Sequence, residues 1–176
     1  MSDKREFLRC FPRAAQLEAE ALKELFEGLS VVRFEPQKIL FAAGDAPDAA
    51  YMVSRGSLLV LHSGLVGDIP LARIYRGDMI GEMGLLDGSR RSASAVVEEP
   101  LVAWRLSRAR YAEFRTQGHP AAAWFLDELG HRLTGRVRST EDRIGRIRQD
   151  PSLAAIVPEA SARRGWWSRL SFWPWS

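Results

Sequence analysis

Between residues 77 and 94 the chain runs GDMIGEMGLLDGSRRSAS, and most of its recognisable chemistry is gathered there. Glu82 and Arg91 stand nine positions apart, with Arg90 beside the second and glycines at 77, 81, 84 and 88. A guanidinium presents a rigid fork of N–H donors that matches phosphate oxygens. A carboxylate is a strong acceptor for hydroxyls. Residues 83–87 have room for one helical turn, whose first amides would point at an anion. Small Gly81, Ala93 and Ser94 let the backbone approach a ligand closely, Met83 sits where that turn begins, and Ser92 offers a further hydroxyl. The glycine spacing fits neither the dinucleotide fingerprint nor the Walker A loop, and no lysine follows it. Taken alone, an acid–arginine pair in a loop is an ordinary surface ion pair worth about 0–1 kcal/mol. The surrounding elements therefore decide what the pair means.

Those elements change character along the chain. Residues 14–29 are rich in helix formers, with Leu17, Ala21, Leu22, Leu25, Phe26 and Leu29 at three- and four-residue spacing. From about 31 to 106, short apolar runs follow one another: Val31–Phe34, Ile39–Phe41, Tyr51–Val53, Leu58–Leu61, Ile69–Ile74, Ala95–Val97 and Leu101–Leu106. Turn residues separate them, among them Arg55-Gly56 and Glu99-Pro100. Short strands at this spacing predict a β-sandwich or barrel, and the lack of helices between them argues against a parallel βαβ sheet. After Leu106 helices return. Ser107 caps a helix over 108–116, Gly118 and Pro120 punctuate, and a long helix follows from 121 to 149. Its Leu126, Leu129, Leu133, Val137, Thr140, Ile144 and Ile147 lie near heptad spacing, a seam through which two copies could pair. Six arginines and five acidic residues lie between 121 and 150, so the rest of that helix is a mixed-charge solvated face.

Composition bounds the classes of function. At 46% hydrophobic and 27% charged, 176 residues make one globular domain, alone or with an appendage, not a disordered or collagen-like chain. The single Cys10 lies among charged residues, reads as an inert surface thiol, and cannot complete a disulfide or a multi-cysteine metal site. No apolar run approaches the ~20 residues that span a bilayer, and the charged N-terminus has no signal-peptide core. The expectation is a cytoplasmic chain. A net charge of +3 does not indicate a strongly basic nucleic-acid surface. His62, His119 and His131 are scattered, so the metal-ligand cluster of a metalloenzyme roll is missing, and no catalytic triad stands out. The chain reads as a non-enzyme without metal or cofactor.

Three blocks, in order, resemble one family. They are Phe41-x-x-Gly44-Asp45 followed by Tyr51 through Val60, then Gly77-Asp-x-Ile80-Gly81-Glu82-x-x-Leu85-Leu86, then Arg91-Ser92-Ala93. Over about residues 20–148 the chain is similar to the cyclic-nucleotide-binding domain shared by catabolite activator proteins and the regulatory subunits of cyclic-nucleotide-dependent kinases. The resemblance implies an α+β fold: an eight-stranded-type antiparallel β-roll, or jelly roll, with an N-terminal helix and a C-terminal helical lid. It implies domains at 1–30 (helical segment), 31–150 (roll and C-terminal helices) and 151–176 (linker and tail). By position it makes Glu82 the acceptor for a ribose 2′-hydroxyl and Arg91 the partner of a cyclic phosphate, with Gly81, Met83, Ser92 and Ala93 around them. Val60, Leu71 and Ala72 would be apolar walls near base and sugar, although the same residues could simply fill a core. Thr140 (or Ser139) would reach the base, although an exposed helix polar residue would look the same. Arg90 reads as a solvated charge. The retained glutamate favours a cyclic mononucleotide, cyclic AMP ahead of cyclic GMP, as the ligand.

The pattern also departs from that family. Only 26 residues follow Asp150, with no two-helix pattern, so a DNA-reading helix-turn-helix and a transcription-regulator function are disfavoured. The expected function is a stand-alone cyclic-nucleotide sensor that signals by rearranging its lid; the other reading is a structural roll that has lost its ligand. Four of six tryptophans, Trp166, Trp167, Trp173 and Trp175, crowd the tail. As a helix, 163–173 would put Trp166, Trp167, Leu170 and Trp173 on one face, suited to the inner face of the membrane, to a protein partner, or to the domain's own surface.

Overall fold

The apolar runs fold into one antiparallel sheet of six strands: β1 (Leu29–Phe34), β2 (Ile39–Phe41), β3 (Ala49–Gly64), β4 (Gly67–Ile74), β5 (Met79–Ile80) and β6 (Ser94–Ser107). The computed structural model describes residues 2–64 and 67–149. Strand order is β1-β6-β3-β4, with β2 also on β6 and β5 also on β3. The sheet has fewer strands than the eight-stranded type expected. Arg55-Gly56 and Glu99-Pro100 bend strands rather than end them, so β3 and β6 each run through two apolar runs. The bends face each other, with Ser57 opposite Glu99 and the register shifting on either side. Gly56 has φ +86, and a Cβ there would strike the Pro100 carbonyl, which is why glycine stands at the crossing. A second irregularity lies on β4. Val60 pairs with Ala72 and Leu61 with Pro70, leaving Leu71 as the extra residue of a bulge.

Alternation along β3 and β6 feeds two cores. The inner one gathers Ala49, Tyr51, Val53, Leu58, Ile74, Ala95, Val97, Leu101 and Ala103. The outer one places Met52, Trp104 and Leu106 against the helices. These are α1 (Ser2–Cys10), a 3-10 turn (Pro12–Gln16), α2 (Ala19–Glu27), α3 (Met83–Asp87), α4 (Arg108–Thr116) and α5 (Pro120–Gln149). The helix expected over 14–29 is therefore interrupted: the chain is extended at Leu17 (φ −69, ψ 141) before α2 begins. α1 lies in a segment read only as charged. Its Phe7, and Phe11 just beyond it, are fully buried, with Phe7 packed edge-on to Trp104 at 5.0 Å. Residues 1–30 thus contribute to the same core as the sheet. Cys10, expected at the surface, is buried with them, and burial pushes its thiol pKa up.

The helix ends follow capping rules. The Ser107 hydroxyl accepts the Arg110 amide at 3.1 Å at the start of α4. His119 precedes α5 and its Nδ1 accepts the Ala121 amide at 3.1 Å. One compact unit runs to Leu133, and a second begins at Thr134. Within the first, Trp124, Phe125 and Leu129 of α5 are buried, whereas Leu126 and Leu133 are exposed. The heptad seam is thereby split, because Leu129 already serves its own domain. Among the described residues no helix is long and apolar enough to cross a membrane, and no group of His, Cys, Asp or Glu is placed to hold a metal.

Candidate ligand-binding site

Glu82 and Arg91 come together on the segment between β5 and β6. Leaving β5, the chain turns at Gly81 (φ +80), passes Glu82, makes the five-residue α3, and ends that helix at left-handed Gly88 (φ 76). Asp87 then accepts the Ser89 amide at 2.8 Å. The Gly44-Asp45 turn clamps the next stretch from both sides: the Gly44 amide donates to the Arg91 carbonyl at 2.8 Å, and the Arg91 amide to the Asp45 carbonyl at 3.0 Å. Arg90, taken as solvated, donates to the Gly44 carbonyl at 2.7 Å from an exposed position. Ser94 accepts the Ala43 amide at 2.9 Å. The first and third blocks of the sequence are thus stitched together by hydrogen bonds.

The Arg91 side chain is only 3% exposed. It lies over the Phe41 ring, 4.2 Å from its centroid. Nη1 donates to the Gly81 carbonyl at 2.7 Å, and Nη2 to the Ala49 carbonyl at 2.6 Å and to Asp48 Oδ1 at 3.0 Å. Its Nε–H is buried and meets no acceptor among the described residues. Glu82 is also buried, at 8% exposure. Gly81, between Glu82 and the arginine's donors, is doubly required: its φ is positive and a Cβ would collide with the Arg91 guanidinium. The pair is therefore not a surface ion pair. Both charged groups are held away from bulk solvent, where an unmatched donor costs about 1–3 kcal/mol.

Asp48 escaped the sequence reading. It resembles any loop acid, and only strand register reveals its role: Ala49 pairs with Ser107 and Tyr51 with Arg105. Its Oδ2 accepts Arg105 Nη2 at 2.9 Å, and its carbonyl accepts the Arg108 amide, the first of α4, at 2.8 Å. One residue thus touches the buried arginine, the end of β6 and the start of α4. Burial raises the Asp48 carboxyl pKa, but the hydrogen bonds from Arg105 and Arg91 outweigh it and hold the pKa below the usual carboxylate value. Burial pushes the Tyr51 phenol up. A depressed folded-state pKa stabilises the fold at pH above the unfolded value, and that contribution is lost as pH falls through the folded one. Thermal melts between about pH 2 and pH 6 should show a gentler acid loss for Asp48→Asn than for the parent; identical acid limbs would mean that Asp48 is not linked to folding.

The other predicted site residues scatter in exposure. Ala93 is buried, Ser92 is exposed, and Met83 is 59% exposed beside Glu82. Val60 packs on the inner core, while Leu71, on its bulge, is 59% exposed and fills no core. Thr140 and Ser139 fall in α5, but their side chains lie outside the described residues. So do Trp166, Trp167, Leu170, Trp173 and Trp175.

An antiparallel sheet with flanking helices, whose β5–β6 segment buries an acid and an arginine around a close-packed glycine, defines a module of the β-roll class. Residues 31–117 match the cyclic nucleotide-binding domain family, and the chain belongs to that family through this domain. It is 40% identical over 81 residues to the cyclic AMP receptor protein of Thermus thermophilus, covering 45% of this chain and 38% of the receptor. It is 28% identical over 102 residues to a cAMP-dependent protein kinase regulatory subunit of Aspergillus niger, covering 58% of this chain and 24% of that subunit. The chain thus spans well under half the length of either relative. A cyclic nucleotide-binding domain from Methylobacillus flagellatus superposes with a TM-score of 0.68 at 24% identity, over 80% of this chain and 83% of that one, a likeness of fold.

Proposed function

We propose that the chain is a non-enzymatic sensor module for a 3′,5′-cyclic mononucleotide, with cyclic AMP ahead of cyclic GMP. The observation that carries this is the buried Arg91 Nε–H without an acceptor, one loop away from buried Glu82. A phosphate oxygen supplies what that donor lacks. Glu82 accepts the ribose 2′-hydroxyl, Asp48 keeps the guanidinium oriented, and exposed Leu71 and Met83 give apolar surface for the base and sugar. Thr140 is the candidate base contact from α5. Titration calorimetry with cyclic AMP, cyclic GMP and 2′-deoxy cyclic AMP tests the assignment. Cyclic AMP should bind, and the deoxy analogue should bind about tenfold or more weakly, as the loss of a hydrogen bond to a charged acceptor predicts. No heat at millimolar nucleotide would overturn the sensor reading.

The signal passes through Asp48. When Arg91 turns part of its fork to a phosphate, Asp48, Arg105 and the α4 amide feel the change. This biases the lid only to the extent that the nucleotide prefers one lid position over another. The domain limits follow the sequence: a helical segment over 1–30, the roll with its C-terminal helices over 31–150, and a linker and tail over 151–176. Output runs through α5, where exposed Leu126 and Leu133 leave part of the seam open to a second copy, or through the Trp-rich tail. The tail engages the cytoplasmic face of a membrane or a protein partner. Pelleting of the chain with anionic vesicles, lost in Trp166→Ser/Trp167→Ser, is the expected outcome for a lipid anchor; pelleting unchanged by the substitutions would remove it.

One observation favours the second reading, a structural roll without ligand: three of the four Nη N–H donors of Arg91 are already matched by Gly81, Ala49 and Asp48. The same calorimetric titration separates the two.

A further inference from the structure

A second set of arginines gathers on another part of the domain, in residues the nucleotide site does not use. A cleft of about 710 Å³ opens between α1 and the strands, with Arg5 and Arg9 of α1, Ser54 and Arg55 of β3 and Val102 of β6 in its walls, and Asp3 and Glu6 completing the lining. Register extends the basic face: Val102 pairs with Arg55 on one side and with Arg33 of β1 on the other, and directly paired residues project from the same face of a sheet.

The charges in this cleft do not cancel. Glu6 already accepts Arg76 Nη2 at 2.8 Å. Among the described residues no hydrogen bond or ion pair engages the side chains of Arg5, Arg9, Arg33 or Arg55. Three arginines, Arg5, Arg9 and Arg55, therefore line the cleft, with Arg33 as the register neighbour of Val102, and of the two lining carboxylates only Asp3 is not committed to another side chain. Such a concentration of like charge repels itself and draws a counter-anion. Ser54, only 7% exposed, is the one neutral polar residue of the lining.

We infer that this cleft binds a small phosphorylated anion of the pyrophosphate class, independently of the cyclic nucleotide. Several forks around one concave site suit an anion with many oxygens, since each guanidinium can take two of them. The volume falls within the range of small-molecule sites. A flat lipid surface cannot enter a concave cleft, which favours a soluble ligand over a membrane. No residue is shared with Glu82, Arg91 or Asp48, so this inference and the nucleotide assignment stand or fall separately.

Calorimetry on the full chain with inorganic pyrophosphate tests it, using Arg9→Gln/Arg55→Gln and, as a charge-matched control, Lys38→Gln/Arg115→Gln. All four positions are exposed, so both variants should keep the melting temperature of the parent. The expected result is binding to the parent, a loss of tenfold or more in the cleft variant, and none in the control. No heat at about 5 mM pyrophosphate, or equal losses in the two variants, would overturn the site, the second outcome marking mere net-charge attraction. Anionic-vesicle pelleting that depends on Arg9 and Arg55 without any pyrophosphate binding would assign the arginines to a membrane face and overturn it as well.

Discussion

Arg91→Lys should weaken cyclic AMP binding by about a hundredfold or more while the chain stays folded. Lysine keeps the positive charge but replaces a rigid fork with a single flexible ammonium. Arg91 reaches Gly81, Ala49 and Asp48 at 2.6–3.0 Å and still leaves Nε–H for a ligand; no ammonium can meet that many directions at once. Truncating one partner of a buried, hydrogen-bonded charge pair costs about 2–5 kcal/mol, and each ~1.4 kcal/mol is tenfold in affinity. Calorimetry of parent and variant reads the loss, and a melting curve shows whether the fold is intact. Glu82→Gln provides the complementary measurement, because it should narrow the gap between cyclic AMP and its 2′-deoxy analogue. An Arg91→Lys protein that binds as tightly as the parent would show that the phosphate lies elsewhere.

Phe7→Ala should destabilise the domain by about 3–5 kcal/mol, as large-to-small changes at fully buried aromatic positions do. Phe7 is 0% exposed. Its ring meets Phe11 at 5.1 Å, Phe26 at 4.9 Å, Trp104 at 5.0 Å and Trp124 at 5.7 Å. These partners come from four different parts of the chain, so the cavity cannot be closed by moving one of them. Urea unfolding should show a lower midpoint with little change in slope. Phe7→Leu, which keeps most of the volume, should recover much of the loss. A midpoint unmoved by Phe7→Ala would mean that α1 is a dispensable appendage.

The fold was legible where local rules suffice. β1, β2 and β4, the turn over 83–87, the Ser107 cap and the long final helix all follow from periodicity and capping. What escaped was set by tertiary contact. α1 and the residue after it bury Phe7, Cys10 and Phe11 among charges, and the two rings pack on Trp104 and Trp124, which no local window contains. Arg55-Gly56 and Glu99-Pro100 look like turns, but two bends placed opposite each other make a crossing inside long strands. Glu82 and Arg91 stood out through their types and neighbours. Asp48 did not, because nothing in GDAPDAAY distinguishes one loop aspartate from the next until the sheet brings Arg91 and Arg105 to it.

β4 lies at the end of the sheet, with β3 as its partner on one side. Ile69 and Leu71 on it are 55% and 59% exposed. A greasy edge strand is a template on which a stranger's backbone can grow. Pro70 sits between these two residues without an N–H to offer, and the bulge at Leu71 breaks the spacing that a straight incoming strand would need. The domain can therefore keep apolar side chains accessible to a small molecule at this edge without seeding aggregation.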